Sequence, residues 1–171
     1  KLEALPENVL PIMAYSLSKT YTLYGTRCGA MICIAKTKEI ADEFKRVCEY
    51  SSRGSWSNSA KVAQVILSRI YGEPGLLERV DKERAHYREM LIKRGRAFEE
   101  EAKKVGLKIV PFDAGFFISI PCSDPDAISA KLEKEGVFIV PLAKGLRVSV
   151  ASISEDKCRK LPAIIKAAME E

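Results

Sequence analysis

The sequence predicts an α/β chain of two lobes bridged by a long helix, and three observations lead there. Two short apolar runs, Val9–Tyr15 and Ala30–Ala35, read as buried strands ahead of stretches with helical periodicity. Leu76–Val105 then keeps a single helical period for about eight turns, a length suited to joining two lobes. Beyond it, four short strand-like runs are interspersed with two amphipathic helices, which is the make-up of a small α/β lobe. The lobes are therefore expected at residues 1–85 and 86–171.

The chain opens abruptly. Leu2–Pro11 carries no initiator and no helix cap, so it reads as a piece of something longer. Val9–Tyr15 is apolar apart from Pro11, and Ser16–Gly29 is a loop rich in hydroxyls and glycines. From Thr37 to Tyr50 the spacing turns helical, with Ile40, Phe44 and Val47 on one side. Thr37 stands where an N-cap belongs, and Glu39 suits the positive end of the helix dipole. Ser51–Ser59 is expected to be a polar loop holding the single tryptophan. Ala60–Tyr71 is a further helical run (Val62, Val65, Ile66, Ile70), stopped by Gly72-Glu73-Pro74-Gly75. Gly106 closes the long helix, because only glycine takes a left-handed C′ position without strain. Ile109–Pro111, Phe116–Ile120, Val137–Val140 and Leu146–Val150 read as strands. Asp124–Glu135 and Ser154–Met169 read as helices, the first opened by Asp124-Pro125 as cap and first residue.

Bulk composition narrows the function classes. With 47% hydrophobic and 30% charged residues the chain is globular rather than disordered or fibrous. Its longest apolar run, Gly29–Ala35, is far too short for a bilayer, and no secretory pattern opens the chain. The five cysteines are odd in number and form no CxxC pair. That argues against a disulfide framework or a metal site and fits a reducing cytoplasm. A formal charge of +5 invites a nucleic-acid partner, but acidic and basic residues interleave, as in Lys131-Leu132-Glu133-Lys134-Glu135. Neither a nucleic-acid nor a membrane partner is expected.

One segment carries chemistry. Tyr15-Ser16-Leu17-Ser18-Lys19-Thr20-Tyr21 is followed by Leu23-Tyr24-Gly25-Thr26-Arg27-Cys28-Gly29. A lysine in apolar surroundings has its charged form disfavoured, which frees a neutral amine to attack an aldehyde. Hydroxyls together with a guanidinium can hold a phosphate through charge-assisted hydrogen bonds. Gly25 and Gly29 give the backbone freedom to bring Arg27 back towards Lys19. On residue types alone, the same segment also reads as a lysine snorkelling from a strand end beside a loop arginine.

The ordered string Ser-x-Ser-Lys, then Leu-Tyr-Gly-x-Arg-x-Gly, resembles the pyridoxal-phosphate lysine signature of the class I and II aminotransferases. The resemblance implies that Lys19 forms the Schiff base with the cofactor and shuttles the proton during transfer. It implies that Ser16, Ser18 and Arg27 hold the phosphate. It also implies the second part of that fold. Residues 1–85 would be the end of the large cofactor-binding domain, and residues 86–171, past the connecting helix, the small C-terminal domain.

Two more arginines gain roles this way. Arg147 lies in the alternating strand Leu146-Arg147-Val148-Ser149-Val150, where it could equally face solvent. The run from Gly136 through Val140-Pro141 to Ala151 looks like the family's C-terminal segment, which implies that Arg147 grips the substrate α-carboxylate. Ala143-Lys144-Gly145-Leu146 stands where many members have a shorter small-residue turn. Arg53, in Ser52-Arg53-Gly54-Ser55-Trp56-Ser57-Asn58, is similar to the Arg-x-x-Tyr-Ser-Asn stretch of the aspartate and aromatic enzymes, with Trp56 in place of the tyrosine. There the arginine reaches across a dimer interface to a side-chain carboxylate; otherwise it is a solvated loop residue. His86 is expected at the surface. Trp56, Phe116 and Phe117 could line a pocket but as aromatics more often serve a core.

The implied activity is reversible amino transfer between an amino acid, aspartate or aromatic, and a 2-oxo acid, in a homodimeric protein. Family groups that tune the cofactor ring come before the lysine, and only 18 residues precede Lys19. This stretch alone is therefore expected to be nearly inactive. A pyridoxal-phosphate-dependent carbon–sulfur lyase of the same fold, or a non-catalytic dimerisation or binding module, are the alternatives.

Overall fold

In a computed structural model, residues 5, 6 and 8–170 are described, and they divide into two compact units between Asp81 and Lys82. Part of the opening stretch Leu2–Pro11 lies outside the described residues. The division falls inside the long helix, four residues before the expected position.

The first unit starts with an antiparallel ribbon, β1 (Ile12–Ser16) paired with β2 (Gly29–Cys33), in the register Ile12↔Cys33 to Ser16↔Gly29. Gly29 is obligatory at that crossing, since a Cβ there would stand 2.3 Å from the Tyr15 carbonyl oxygen. Both strands were expected to be buried, and neither is: Ile12 is 52% exposed and Met31 56%. Among the ribbon residues, Tyr15 packs against the core of this unit, while Met13 and Ile32 are exposed with Ile12 and Met31. Between the strands, the expected loop contains a short helix, α1 (Leu17–Thr20), and a 3₁₀ turn at Tyr24–Thr26.

Helix α2 (Lys38–Ser55) is capped as the sequence implies, with Thr37 Oγ1 accepting from the Ile40 amide at 3.4 Å. It runs five residues past Tyr50, so Arg53 lies in its last turn rather than in a loop. None of its described residues is buried. Helix α3 (Lys61–Gly72) packs Ala63 and Ile70 with Leu17, Tyr21 and Cys28 into the small core of this unit. Leu76, Leu77 and Val80, from the first turns of α4 (Leu76–Lys104), pack against that core.

The second unit contains the rest of α4, which ends in a Schellman motif. The Leu107 amide donates to Ala102 O at 2.8 Å and the Gly106 amide to Lys103 O at 3.3 Å, with Gly106 at φ +67°. Gly136 (φ +75°) closes α5 (Pro125–Lys134) the same way. The sheet is antiparallel in the order β3 (Phe117–Pro121), β5 (Gly145–Ser149), β4 (Val140–Leu142). Ile109–Pro111 is not a strand: Val110 donates one bond to Ser119 O, and Pro111 has no N–H with which to continue a ladder. Ile118, Ile120, Leu146 and Val148 point from one sheet face into a core completed by Phe98, Leu132 and Ile165. That core also takes Cys158 from α6 (Glu155–Glu170). The other sheet face carries Phe117, which is exposed, and Ser119 and Arg147, which are half-buried.

Candidate functional site

The Lys19 turn is built by its neighbours. Ser16 ends β1 and caps α1, its Oγ accepting from the Ser18 amide at 3.2 Å. Its O–H remains a donor, as a phosphate ligand requires. Leu17 and Tyr21 are buried against α3, so the turn is held from below, while Lys19 between them is exposed. The Tyr21 hydroxyl also meets that of Tyr71 on α3.

Arg27 is brought back to this turn. It adopts a left-handed backbone (φ +49°), and its Nη1 donates to Tyr24 O at 3.0 Å and to Ser18 Oγ at 3.5 Å. The Lys19 Nζ lies 4.8 Å from the Tyr24 ring centroid and the Arg27 Cζ lies 4.7 Å from it. Two cations thus share one aromatic ring, whose negative face offsets part of their repulsion. Nothing in the order of residues assigns Tyr24 a role, yet its ring meets both cations. An amine, a guanidinium and two hydroxyls on one turn suit a small molecule bearing both an aldehyde and a phosphate.

One expectation fails. Lys19 was expected in apolar surroundings, yet it is solvent-exposed. The physical reason is the turn itself: Leu17 and Tyr21 face the core of this unit, which leaves Lys19 between them on the outer side.

Arg147 occupies the middle of β5, opposite Ser119 of β3 and Val140 of β4. Leu146 and Val148 on either side point into the core, which turns Arg147 onto the opposite face. Its Nε is buried with no hydrogen-bond partner, and its Cζ lies 4.6 Å from the Phe117 ring centroid. An orphan donor of this kind costs about 1–3 kcal/mol until an acceptor reaches it. A carboxylate fits it, since the guanidinium fork presents paired donors. The unusual Ala143-Lys144 stretch is a two-residue hairpin turn between Leu142 and Gly145, which pair across it.

Arg53 stays outside the Lys19 cluster. Its Nη1 donates to Ser57 in the turn just after α2, and Trp56 beside it is 77% exposed. Of the six residues singled out by sequence, the first unit groups Ser16, Ser18, Lys19 and Arg27 and leaves Arg53 apart. Arg147 lies in the second unit. His86 is exposed and makes an edge contact with Tyr87. Among the described residues, no group of His, Cys, Asp and Glu could hold a metal, and no helix is long and apolar enough to cross a membrane.

The model of the family "Aminotransferase class I and II" matches residues 3–165. An aromatic amino acid aminotransferase of Cutibacterium acnes is 28% identical over 156 residues, covering 91% of this chain and 40% of its own. The crystal structure of an aminotransferase from Anaerococcus prevotii superposes with a TM-score of 0.91 at 35% identity, over 98% of this chain and 41% of that one. An aromatic-amino-acid aminotransferase from Burkholderia pseudomallei, covalently bound to pyridoxal phosphate, has a TM-score of 0.64. It is 22% identical over 92% of this chain and 40% of its own, and it shares the fold. This chain therefore spans about two fifths of the length of these relatives.

Proposed function

This chain belongs to the class I and II aminotransferases, a pyridoxal-phosphate-dependent family, and from that premise we propose that it serves amino transfer between an amino acid and a 2-oxo acid. The observation that carries the reading is the turn on which Arg27 reaches Ser18 and shares the Tyr24 ring with Lys19. In this reading Lys19 attaches the cofactor through its amine, and Ser16, Ser18 and Arg27 hold the phosphate. The cofactor, when bound, supplies the electron sink that makes the substrate Cα–H acidic. Lys19 Nζ then takes and returns the proton at Cα as general base and acid.

Arg147 binds the substrate α-carboxylate, which its unpartnered Nε supports. Arg53 is assigned the distal carboxylate of a dicarboxylic substrate such as aspartate, and aromatic substrates are the other class. The similarity to the aspartate and aromatic subgroup supports that assignment. The whole protein would then be a cytoplasmic homodimer of two domains, a reading that the five unpaired cysteines and the family suit. The 171 residues alone would be nearly inactive.

The test needs no turnover. Pyridoxal phosphate mixed with the chain should give the visible absorbance band of a lysine-bound cofactor, and Lys19→Ala should abolish it. Arg27→Ala should weaken cofactor retention about tenfold or more, as expected for a charge-assisted contact to phosphate. A band that survives Lys19→Ala would overturn the assignment. Product analysis on the whole protein, a 2-oxo acid against ammonia and pyruvate, separates transfer from carbon–sulfur lysis.

A further inference from the structure

Phe117 is positioned to do more than cover the sheet. On β3 it pairs with Ser149, and Ser119 two residues on pairs with Arg147, so Phe117 and Arg147 are diagonal neighbours on one face of the sheet. The Arg147 Cζ lies 4.6 Å from the Phe117 centroid. Ile118 and Ile120, which flank the face-sharing residues of β3, are buried, so the backbone under the pair is held rigidly. Val140 stands opposite Arg147 on the other side.

The guanidinium is thus covered on one face by a ring, and its Nε has no protein acceptor. A guanidinium stacked on an aromatic keeps its N–H groups in its own plane, directed outwards at the edge. An acceptor can then engage two parallel donors at once without first ordering the side chain.

We propose that Phe117 is a positioning residue that orients the Arg147 fork for edge-on, bidentate capture of a substrate carboxylate. The proposal rests on the reading of Arg147 as the carboxylate grip. The ring acts through the arginine rather than on the substrate. The argument requires an aromatic face at position 117; an aliphatic side chain of similar bulk fills the space but does not orient the fork.

The test uses the ¹⁵N-labelled 171-residue chain and propionate as a minimal carboxylate, with the Arg147 Nε–H resonance as the reporter. That resonance is assigned by its loss in Arg147→Lys. Wild type should show a saturable shift on titration. Phe117→Leu should weaken binding about fivefold, the scale of one cation–π contact, and Phe117→Tyr should restore it. In the Arg147→Lys background, Phe117→Leu should leave any residual propionate affinity, followed on neighbouring amides, unchanged. A merely structural loss would lower it there too. Backbone amides of Ile118 and Ile120 report that the sheet is intact. If wild type responds and Phe117→Leu binds equally well, the positioning role is wrong and the Arg147 reading stands. If wild type does not respond, the Arg147 reading fails and the positioning role fails with it.

Discussion

The hydroxyls of Tyr21 and Tyr71 lie 2.5 Å apart, tying the end of the Lys19 turn to the last turn of α3. Tyr21 is buried and closes α1, its amide donating to Leu17 O at 3.2 Å. The pair fixes the position of a turn that has only four helical residues of its own.

Tyr71→Phe should therefore cost about 1 kcal/mol, because it removes one partner and leaves the Tyr21 hydroxyl without it. Urea unfolding followed by circular dichroism would measure this. Tyr21→Phe alone should cost about the same, and the double variant little more than either single, since the two share one bond. Additive losses would mean that the bond contributes nothing.

Two glycines should respond in opposite senses to alanine. At Gly145 a Cβ would stand 2.3 Å from the Ile120 carbonyl oxygen, with more backbone at 3.1 and 3.2 Å, so β3 and β5 must part. Gly145→Ala should cost about 1–3 kcal/mol, the usual range for overpacking. At Gly54, inside α2, nothing lies within 4 Å. Gly54→Ala should stabilise by about 0.5–1 kcal/mol through reduced backbone freedom in the unfolded chain. Melting temperatures of the two variants check both signs.

The second unit should depend on Phe98, which is fully buried among Ala102, Ile118, Leu132 and Ile165. Phe98→Ala should cost about 3–5 kcal/mol. Hydrogen exchange would read the loss as weakened amide protection in β3 and β5. Protection unchanged in those strands would contradict the assignment of Phe98 to the centre of this core.

Acid should loosen the start of α6. Glu155 has its carboxyl held below the ordinary range, first by the hydrogen bond from Lys93 and then by that from Arg159, at 3.1 and 3.0 Å. A carboxyl whose folded pKa is depressed stabilises the fold above its unfolded pKa. That contribution is lost as pH falls through the lower folded value. Glu155→Gln should therefore melt below wild type at neutral pH, and the gap should close on acidification beneath about pH 4.3. A gap that does not change with pH would exclude the carboxylate as its source.

Much of this fold was legible because local chemistry decided it. Thr37, Asp124-Pro125 and Gly106 mark helix ends through hydrogen bonds that close within a few residues. Arg147 was legible as a strand residue because Leu146 and Val148 alternate with it. What depends on a second layer was not legible. The apolar runs of β1 and β2 look the same in sequence whether or not something covers them, and here Tyr15 packs on a core while Ile12, Met13, Met31 and Ile32 stay exposed. The extension of α2 through Arg53 was also hidden. Ser51, Ser52, Gly54 and Ser55 are poor helix formers, yet the Ser55 hydroxyl donates to Ser51 O and the Trp56 amide to Ser52 O. The role of Tyr24 needed three dimensions, since its ring meets Lys19 five residues back and Arg27 three residues on.

Arg27 sits in a backbone well that glycine fills at far lower cost. Arg27→Gly should therefore relieve torsional strain while deleting the guanidinium that reaches Ser18. Selection for a sturdier chain and selection for an anion grip pull this codon in opposite directions. A stabilising screen blind to ligand would drift towards glycine here, trading the grip for comfort.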